Sequence, residues 1–488
     1  MERVKYMKKE AAVMRSLFFI GFLCTALLAS DVGAAEKLNV LFIAADDLRA
    51  DLRCMGNKEV LTPNLDALAA SGRLFNKAYC QQAVCNPSRA SLMTGRRPDT
   101  LKIWDLPTHF RHRLPDVVTL PQHFMKQGYF TQNIGKIYHN WRQDKEKGDA
   151  PSWSVPAVMH YAPHHSDRAK VKGKAPRSIS KDPKCFCKDV PDEAYFDGRI
   201  ASLAIKALQE RKEAGKPFFL AVGFWKPHAP FNAPKKYWDL YDRSKLSPPP
   251  NPEWPRDAPR IAWHNSREIL GAGKQRKLTL KSVMEMRHGY LAAISYFDAQ
   301  LGRVLAELGR LGLREKTVVV FWSDHGFHLG EQTLWAKTSN FELDAHVPLI
   351  FSTPGMKRRG VKTDALAELL DLYPTLVELC GLPKAEGLEG TSLVPVLDNP
   401  GSRVKEAAYT QHPRPAYFTG APDVMGRSVR TNRYRYTEWR NFKTGEVVAS
   451  ELYDHEKDPL ETVNVAAAAA SAAALTECRR LYRAGFSP

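Results

Sequence analysis

Four short runs of apolar, β-branched and aromatic residues punctuate the chain, at 38–44, 218–224, 317–322 and 348–352. Unbroken apolar runs of this length suit strands buried on both faces. A different rhythm lies between them. From 283 to 311, Met286, Tyr290, Ile294, Phe297, Leu301, Leu305 and Leu308 recur every three or four positions, the period of a helix with one apolar stripe. Strands alternating with helices predict an α/β fold built on a large, mixed, mostly parallel sheet covered by helices on both faces. Sheets of this kind place their sites at the carboxyl ends of the strands.

Two stretches break the alternation. Residues 161–188 are basic and poor in apolar side chains, and 247–259 are dense in proline, so both read as long surface loops. A boundary is expected within 398–403, giving a large domain over 36–402 and a smaller one over 403–488. In the smaller one, Tyr409, Val429, 434–439 and 451–453 suggest short antiparallel strands. The alanine-rich run 466–474, with Leu475 and Tyr482 two turns apart, predicts a terminal helix packed on them.

The first 35 residues differ in kind. Arg3, Lys5, Lys8, Lys9 and Arg15 precede an apolar run at 17–28, and Gly33, Ala34 and Ala35 follow, the pattern of a secretory signal peptide. A start at Met7 or Met14 gives a more usual leader length. The apolar run is short for a membrane span, and no later segment approaches the ~20 apolar residues required. A soluble, exported protein beginning near Glu36, periplasmic or secreted, is expected. The only Asn-x-Ser/Thr triplet, Asn86-Pro87-Ser88, is blocked by its proline, which favours a bacterial exported protein over a lysosomal one.

The formal charge is +18, and the leader's five basic and three acidic residues account for only two of these charges. A polyanionic partner follows. Helix-turn-helix, finger and stacking motifs are lacking, so nucleic acid is set aside in favour of a sulfated or phosphorylated glycan. Besides Cys24 in the leader and Cys85, the cysteines are Cys54, Cys80, Cys185, Cys187, Cys380 and Cys478, enough for one to three disulfides. Their spacing does not suit a zinc site.

The chemistry concentrates in Cys85-Asn86-Pro87-Ser88-Arg89, continued by Ala90-Ser91-Leu92-Met93-Thr94-Gly95-Arg96. Read alone, this is a cysteine ahead of a helix that begins at Pro87, where free backbone N–H groups favour an anion. Asp46-Asp47 close the first strand, and Ser323-Asp324-His325-Gly326 closes another. Such carboxylates are hard oxygen ligands for a divalent cation, although an isolated pair reads equally as solvated turn residues.

The Cys-x-Pro-Ser-Arg core with a downstream Thr-Gly-Arg resembles the signature of the type I sulfatases, whose cysteine is oxidised to formylglycine after translation. His325 stands where most of them have asparagine, and this points to the iduronate-2-sulfatase group. Asp46-Asp47-Leu48-Arg49, Gly135-Lys136-Ile137-Tyr138-His139, Trp225-Lys226-Pro227-His228, Leu334-Trp335-Ala336-Lys337 and the stretch 428–436 are similar to that group as well. Phe327 departs from it, in place of tryptophan, as do the loops before Lys188 and around Pro250, and these positions are expected to shape the sugar pocket.

The resemblance implies an alkaline-phosphatase-like fold. It implies Ca²⁺ held by Asp46, Asp47, Asp324, His325 and an oxygen of modified Cys85, with Arg89, Lys136, His228 and Lys337 around the sulfate. It further implies that hydrated formylglycine attacks sulfur, that His228 or Lys337 protonates the departing sugar oxygen, and that His139 takes a proton from the second hydroxyl. A formylglycine-generating enzyme is then a partner during maturation. The substrate implied is a sulfated oligosaccharide or polysaccharide, most simply a terminal 2-O-sulfated uronic acid attacked exo. A different polysaccharide such as an algal glycan, a phosphonate or phosphate ester, and an inactive sulfoglycan-binding protein are the alternatives.

Overall fold

The computed structural model describes residues 37–139, 147–160, 185–264, 268–270, 278–417 and 421–486. The proposed leader and most of the basic loop therefore lie outside the described residues. The chain divides into Met1–Leu38 and Asn39–Pro488, and everything below concerns the second unit.

Among the described residues the strands are β1 (Asn39–Asp46), β2 (Arg73–Tyr79), β3 (Phe130–Gly135), β4 (Cys185–Lys188), β5 (Phe218–Pro227), β6 (Phe231–Pro234), β7 (Thr317–Ser323), β8 (His328–Leu329), β9 (Trp335–Ala336), β10 (His346–Ser352), β11 (Thr363–Glu368), β12 (Ala408–Arg414), β13 (Val424–Arg430), β14 (Tyr434–Asn441) and β15 (Val447–Asp454). Seven form one sheet in the order β11-β2-β10-β7-β1-β5-β3. All neighbours in it are parallel except β10, which runs antiparallel to both β7 and β2. The four apolar runs are β1, β5, β7 and β10. The pattern missed β2, β3 and β11, which carry polar residues such as Asn76, Lys77, Gln132 and Asp364.

Alternation along β1 explains the layering. Leu41, Ile43 and Ala45 face the cluster that contains helices α2 (Phe196–Ala214) and α3 (Leu280–Arg310). Phe42 faces the other side, 5.4 Å from Phe219 and 5.3 Å from Trp322 between ring centroids. The stripe expected over 283–311 is α3, begun three residues earlier at a Thr279 cap.

β12 to β15 form an antiparallel four-stranded sheet. Helix α4 (Ala472–Gly485) packs Cys478, Leu481 and Tyr482 against Val429, Tyr436 and Leu452 of that sheet. The alanine run was expected to be helical from 466, but the α-helix begins at Ala472 after a single 3₁₀ turn. High propensity does not nucleate a helix where no apolar face is buried. The expected loop to Lys188 is also corrected at its end, since Cys185–Lys188 pairs with β6. None of the seven described cysteines forms a disulfide, in place of the one to three thought possible.

Candidate active site

β7, β1, β5 and β3 are adjacent and parallel, so their carboxyl ends share one edge. Each strand delivers site residues as it leaves the sheet: Asp46 and Asp47 from β1, Asp324 and His325 after β7, His228 after β5, and Lys136 and His139 after β3. Asp47 adopts the left-handed conformation, φ 63°, a strained state for a residue with a side chain. Its backbone is held there by Tyr290, whose hydroxyl donates to the Asp47 carbonyl at 2.6 Å and accepts from the Arg49 N–H at 3.1 Å. Lys136 can turn in because β3 and β5 meet at Gly135 and Gly223. A Cβ on Gly223 would collide with the Lys136 carbonyl.

Cys85 arrives from outside the sheet in the first turn of helix α1 (Cys85–Thr94), two residues earlier than the proline that was expected to start it. The helix ends on Gly95 in the left-handed conformation. Ser88 anchors its first turn by donating to the Asp324 carbonyl at 2.5 Å. Arg89 donates to Asp324 Oδ2 at 2.8 Å and to the carbonyls of Lys136, Ile137 and Ala45 at 2.7, 3.0 and 3.4 Å, tying the helix to the ends of β7, β3 and β1. Lys337 enters after the β8–β9 hairpin, between Ala336 and Thr338, which also have positive φ, 69° and 91°.

The side chains converge. Cys85 Sγ lies 3.3 Å from His325 Nε2 and 3.7 Å from Asp46 Oδ1. Lys136 Nζ bonds Asp46 Oδ2, and Lys337 Nζ bonds Asp47 Oδ1 at 2.7 Å. His228 Nε2 stands 3.7 Å from Asp47 Oδ2. His325 places Nδ1 2.9 Å from the Gly326 carbonyl, which fixes that nitrogen as the donor and leaves the Nε2 lone pair toward Asp47 and Asp324, at 3.4 and 3.6 Å. All ten residues singled out by sequence are buried at this edge.

Three carboxylates therefore face three permanent cations. Burial opposes ionisation of Asp46, but Lys136, His228, Arg89 and Lys337 overcome it and hold the group well below the usual carboxylate range. Asp47 moves the other way: burial, reinforced by the Asp46 charge, outweighs Lys337 and raises its carboxyl well above that range. Burial pushes the Cys85 thiol up to about 12 against the pull of Lys136 and Lys337, so unmodified Cys85 is a neutral thiol at pH 7 and a poor nucleophile. Burial, followed by Lys136, holds His139 neutral, and neither of its ring nitrogens has a hydrogen-bond partner among the described residues.

The donor set fits a hard divalent cation. Ligand atoms of Asp46, Cys85, Asp324 and His325 lie within 4.8 Å of one another, as do those of Asp46, Asp47, Cys85 and His228. Oxygens bound at 2.3–2.6 Å around one Ca²⁺ span at most about 5 Å. Asp47 Oδ2 is buried without a hydrogen bond among the described residues, a state that a cation would relieve. Cys85 Sγ occupies the position that an oxygen of a modified side chain would take.

Two neighbours had no sequence signal. Glu268 pairs with Lys337 at 3.0 Å from a polar segment without periodicity, and Tyr417, just past β12, interacts with Glu268, Lys337 and Cys85. Phe327, expected to shape the sugar pocket, is instead fully buried, with ring centroids 5.6 Å from Tyr290 and 5.9 Å from Phe231. The chain turns inward after His325, so Phe327 braces the tyrosine that holds Asp47.

The sequence and the fold are similar to those of known proteins. A family model described as Sulfatase matches residues 38–382, and one for the C-terminal part of N-sulphoglucosamine sulphohydrolase matches 330–481. The chain is 34% identical to iduronate 2-sulfatase of Mus musculus over 532 residues, covering 93% of this chain and 96% of that one. Phosphonate monoester hydrolase of Agrobacterium radiobacter superposes with a TM-score of 0.74 at 24% identity, over 91% of this chain and 95% of that one. A 2-O GAG sulfatase, BT1596, superposes with a TM-score of 0.70 at 24% identity, over 92% and 91%. The alkaline-phosphatase-like architecture expected from sequence is thus the one observed. With a sulfatase model matching most of its length and a curated sulfatase aligned almost end to end, the chain belongs to the sulfatase family and is a sulfuric ester hydrolase.

Proposed function

We propose that the chain removes sulfate from sulfated glycans, acting exo on the 2-O-sulfate of a terminal uronic acid, with Cys85 matured to formylglycine and Ca²⁺ in the carboxylate cluster. The observation that carries this reading is Cys85 within 3.7 Å of Asp46 and 3.3 Å of His325, among Arg89, Lys136 and Lys337. The iduronate 2-sulfatase relative and the 2-O activity in the name of BT1596 support the choice of sugar position.

The hydrated aldehyde would supply an oxygen nucleophile and the cation would neutralise sulfate oxygens, with Asp46, Asp47, Asp324 and His325 holding that cation. The remaining work falls to the chain's own groups. Lys136 and Lys337 offer fixed N–H donors to an anionic ester whose sulfur must be approached by another nucleophile, while Arg89, bound to Asp324, sets the positive field behind Cys85. His228 keeps Nδ1 on the Ala229 carbonyl at 2.6 Å, so only Nε2 can serve the reaction. His228 or Lys337 donates a proton to the departing sugar oxygen. His139, held neutral and with neither ring nitrogen hydrogen-bonded among the described residues, would accept the proton of the second hydroxyl as the C–O bond to sulfate breaks, which releases sulfate and restores the aldehyde.

Export with cleavage of 1–35 is part of this proposal, as are the formylglycine-generating partner and the domain limits 36–402 and 403–488. No helix among the described residues is long and apolar enough to cross a membrane. The test is sulfate release from a disaccharide with a terminal 2-O-sulfated uronic acid, compared with its 6-O-sulfated counterpart and with a matched phosphonate ester. Selective release from the first is expected. Faster cleavage of either of the others removes the substrate assignment.

A further inference from the structure

Lys337 Nζ is held from two sides, by Asp47 Oδ1 at 2.7 Å and by Glu268 Oε1 at 3.0 Å. Glu268 belongs to neither group of candidate metal ligands. It adds a fourth carboxylate to a site that must admit an anion, where a further negative charge opposes binding. Its side chain remains 22% exposed while that of Lys337 is fully buried, so Glu268 stands on the outer side of the lysine. Its second oxygen, Oε2, is buried without a hydrogen bond among the described residues. An ionised carboxylate only accepts hydrogen bonds, so the group missing at Oε2 is a donor. The donors that a sulfated sugar carries are its hydroxyls.

Lys337 is one of the two groups placed at the ester oxygen in the reading above. On a pyranose ring, oxygens on neighbouring carbons stand about as far apart as two hydrogen-bonded atoms. A sugar whose ester oxygen meets Lys337 therefore brings the next ring oxygen to Glu268. We propose that Glu268 determines specificity by accepting a hydrogen bond from the hydroxyl next to the sulfated carbon and by excluding a second anionic group from that position. This rests on the sugar-sulfatase reading. For a 2-O-sulfated uronic acid the hydroxyl is the one on carbon 3, and the carboxylate on carbon 5 lies away from Glu268. A buried unpaired acceptor also discriminates strongly, because a substrate lacking the donor leaves it unpaired.

The test uses the sugar monosulfate that the mature wild-type enzyme cleaves best, its analogue with a second sulfate on the neighbouring carbon, and its deoxy analogue at that carbon. In the wild type, loss of the hydroxyl lowers kcat/KM at least about tenfold, and the added sulfate lowers it further. In Glu268→Gln the preference for monosulfate over disulfate falls about tenfold, through a lower KM for the disulfate, while Glu268→Asp keeps the preference. A purely structural salt bridge would slow both substrates alike, and an unchanged ratio in Glu268→Gln overturns the proposal. An undiminished rate on the deoxy analogue overturns it without any variant. If the wild type cleaves another sugar sulfate but no 2-O-sulfated uronate, the uronate assignment fails, and the same comparison on that other sugar still decides the role of Glu268.

Discussion

Two charge clusters in this protein contain carboxylates and histidine within metal-binding reach of one another, one around Glu342 and one at the sheet edge. Around Glu342, His455 and Glu461 every carboxylate oxygen is already engaged. Glu342 Oε1 accepts from Tyr79 at 2.9 Å and Oε2 from Arg430 at 3.0 Å and from Arg435. Glu461 Oε1 meets His455 at 3.1 Å and Arg435 at 3.0 Å, and Oε2 accepts the Glu342 N–H at 2.8 Å. At the sheet edge, by contrast, Asp47 Oδ2, both nitrogens of His139 and Glu268 Oε2 lack hydrogen-bond partners among the described residues. The first cluster is filled by guanidinium groups and joins the short helix Glu342–Ala345, just before β10, to the C-terminal sheet. The second is left incomplete where a cation, an ester and a sugar would complete it. Unsatisfied carboxylate oxygens, more than residue types, distinguish the catalytic edge from the Glu342 cluster.

Substitutions sharpen this contrast. Cys85→Ser should lower kcat by at least about a thousandfold while leaving the fold intact, checked by sulfate release and near-ultraviolet circular dichroism. Arg435→Ala, which removes the guanidinium shared by Glu342 and Glu461, should cost about 3 kcal/mol in denaturant unfolding while the folded fraction stays active. Asp47→Asn should do the reverse, abolishing turnover with stability within about 1 kcal/mol of wild type, since it removes a buried carboxyl raised by its surroundings.

The C-terminal sheet offers a pH test. Burial raises the Glu451 carboxyl to about 7, although Trp439 and Tyr453 donate to it at 2.7 and 2.8 Å. The folded protein thus keeps a proton that the unfolded chain releases near pH 4.3. Its contribution is fully present below that pH and is lost as pH rises through about 7. The stability of Glu451→Gln relative to wild type should therefore rise by up to about 3 kcal/mol between pH 4 and 8. The smallest effect expected is that of the cation. Ca²⁺ at a hundredfold its Kd should stabilise the protein by about 2.7 kcal/mol. Asp324→Asn should abolish this gain, whereas Glu342→Gln should keep it.

The sequence disclosed the catalytic edge better than its surroundings. Asp46, Asp324 and the strands that carry them were legible because buried parallel strands are continuously apolar and end abruptly in charge. Lys136, His139, His228 and Lys337 were legible only through resemblance, since an isolated lysine or histidine in a turn has no periodicity to mark it. β2, β3 and β11 escaped because their polar residues interrupt the apolar run. Glu268 and Tyr417 escaped because their proximity to Lys337 is created by the fold. Phe327 was misjudged for the same reason, as one residue of turn decides whether a side chain faces substrate or core.

The most direct test of the account is the mass of the peptide containing Cys85 from protein made in its native host and shown to release sulfate. Loss of sulfur and gain of an aldehyde oxygen at Cys85 is the predicted result. An unmodified thiol at Cys85 in protein that turns over repeatedly would contradict it.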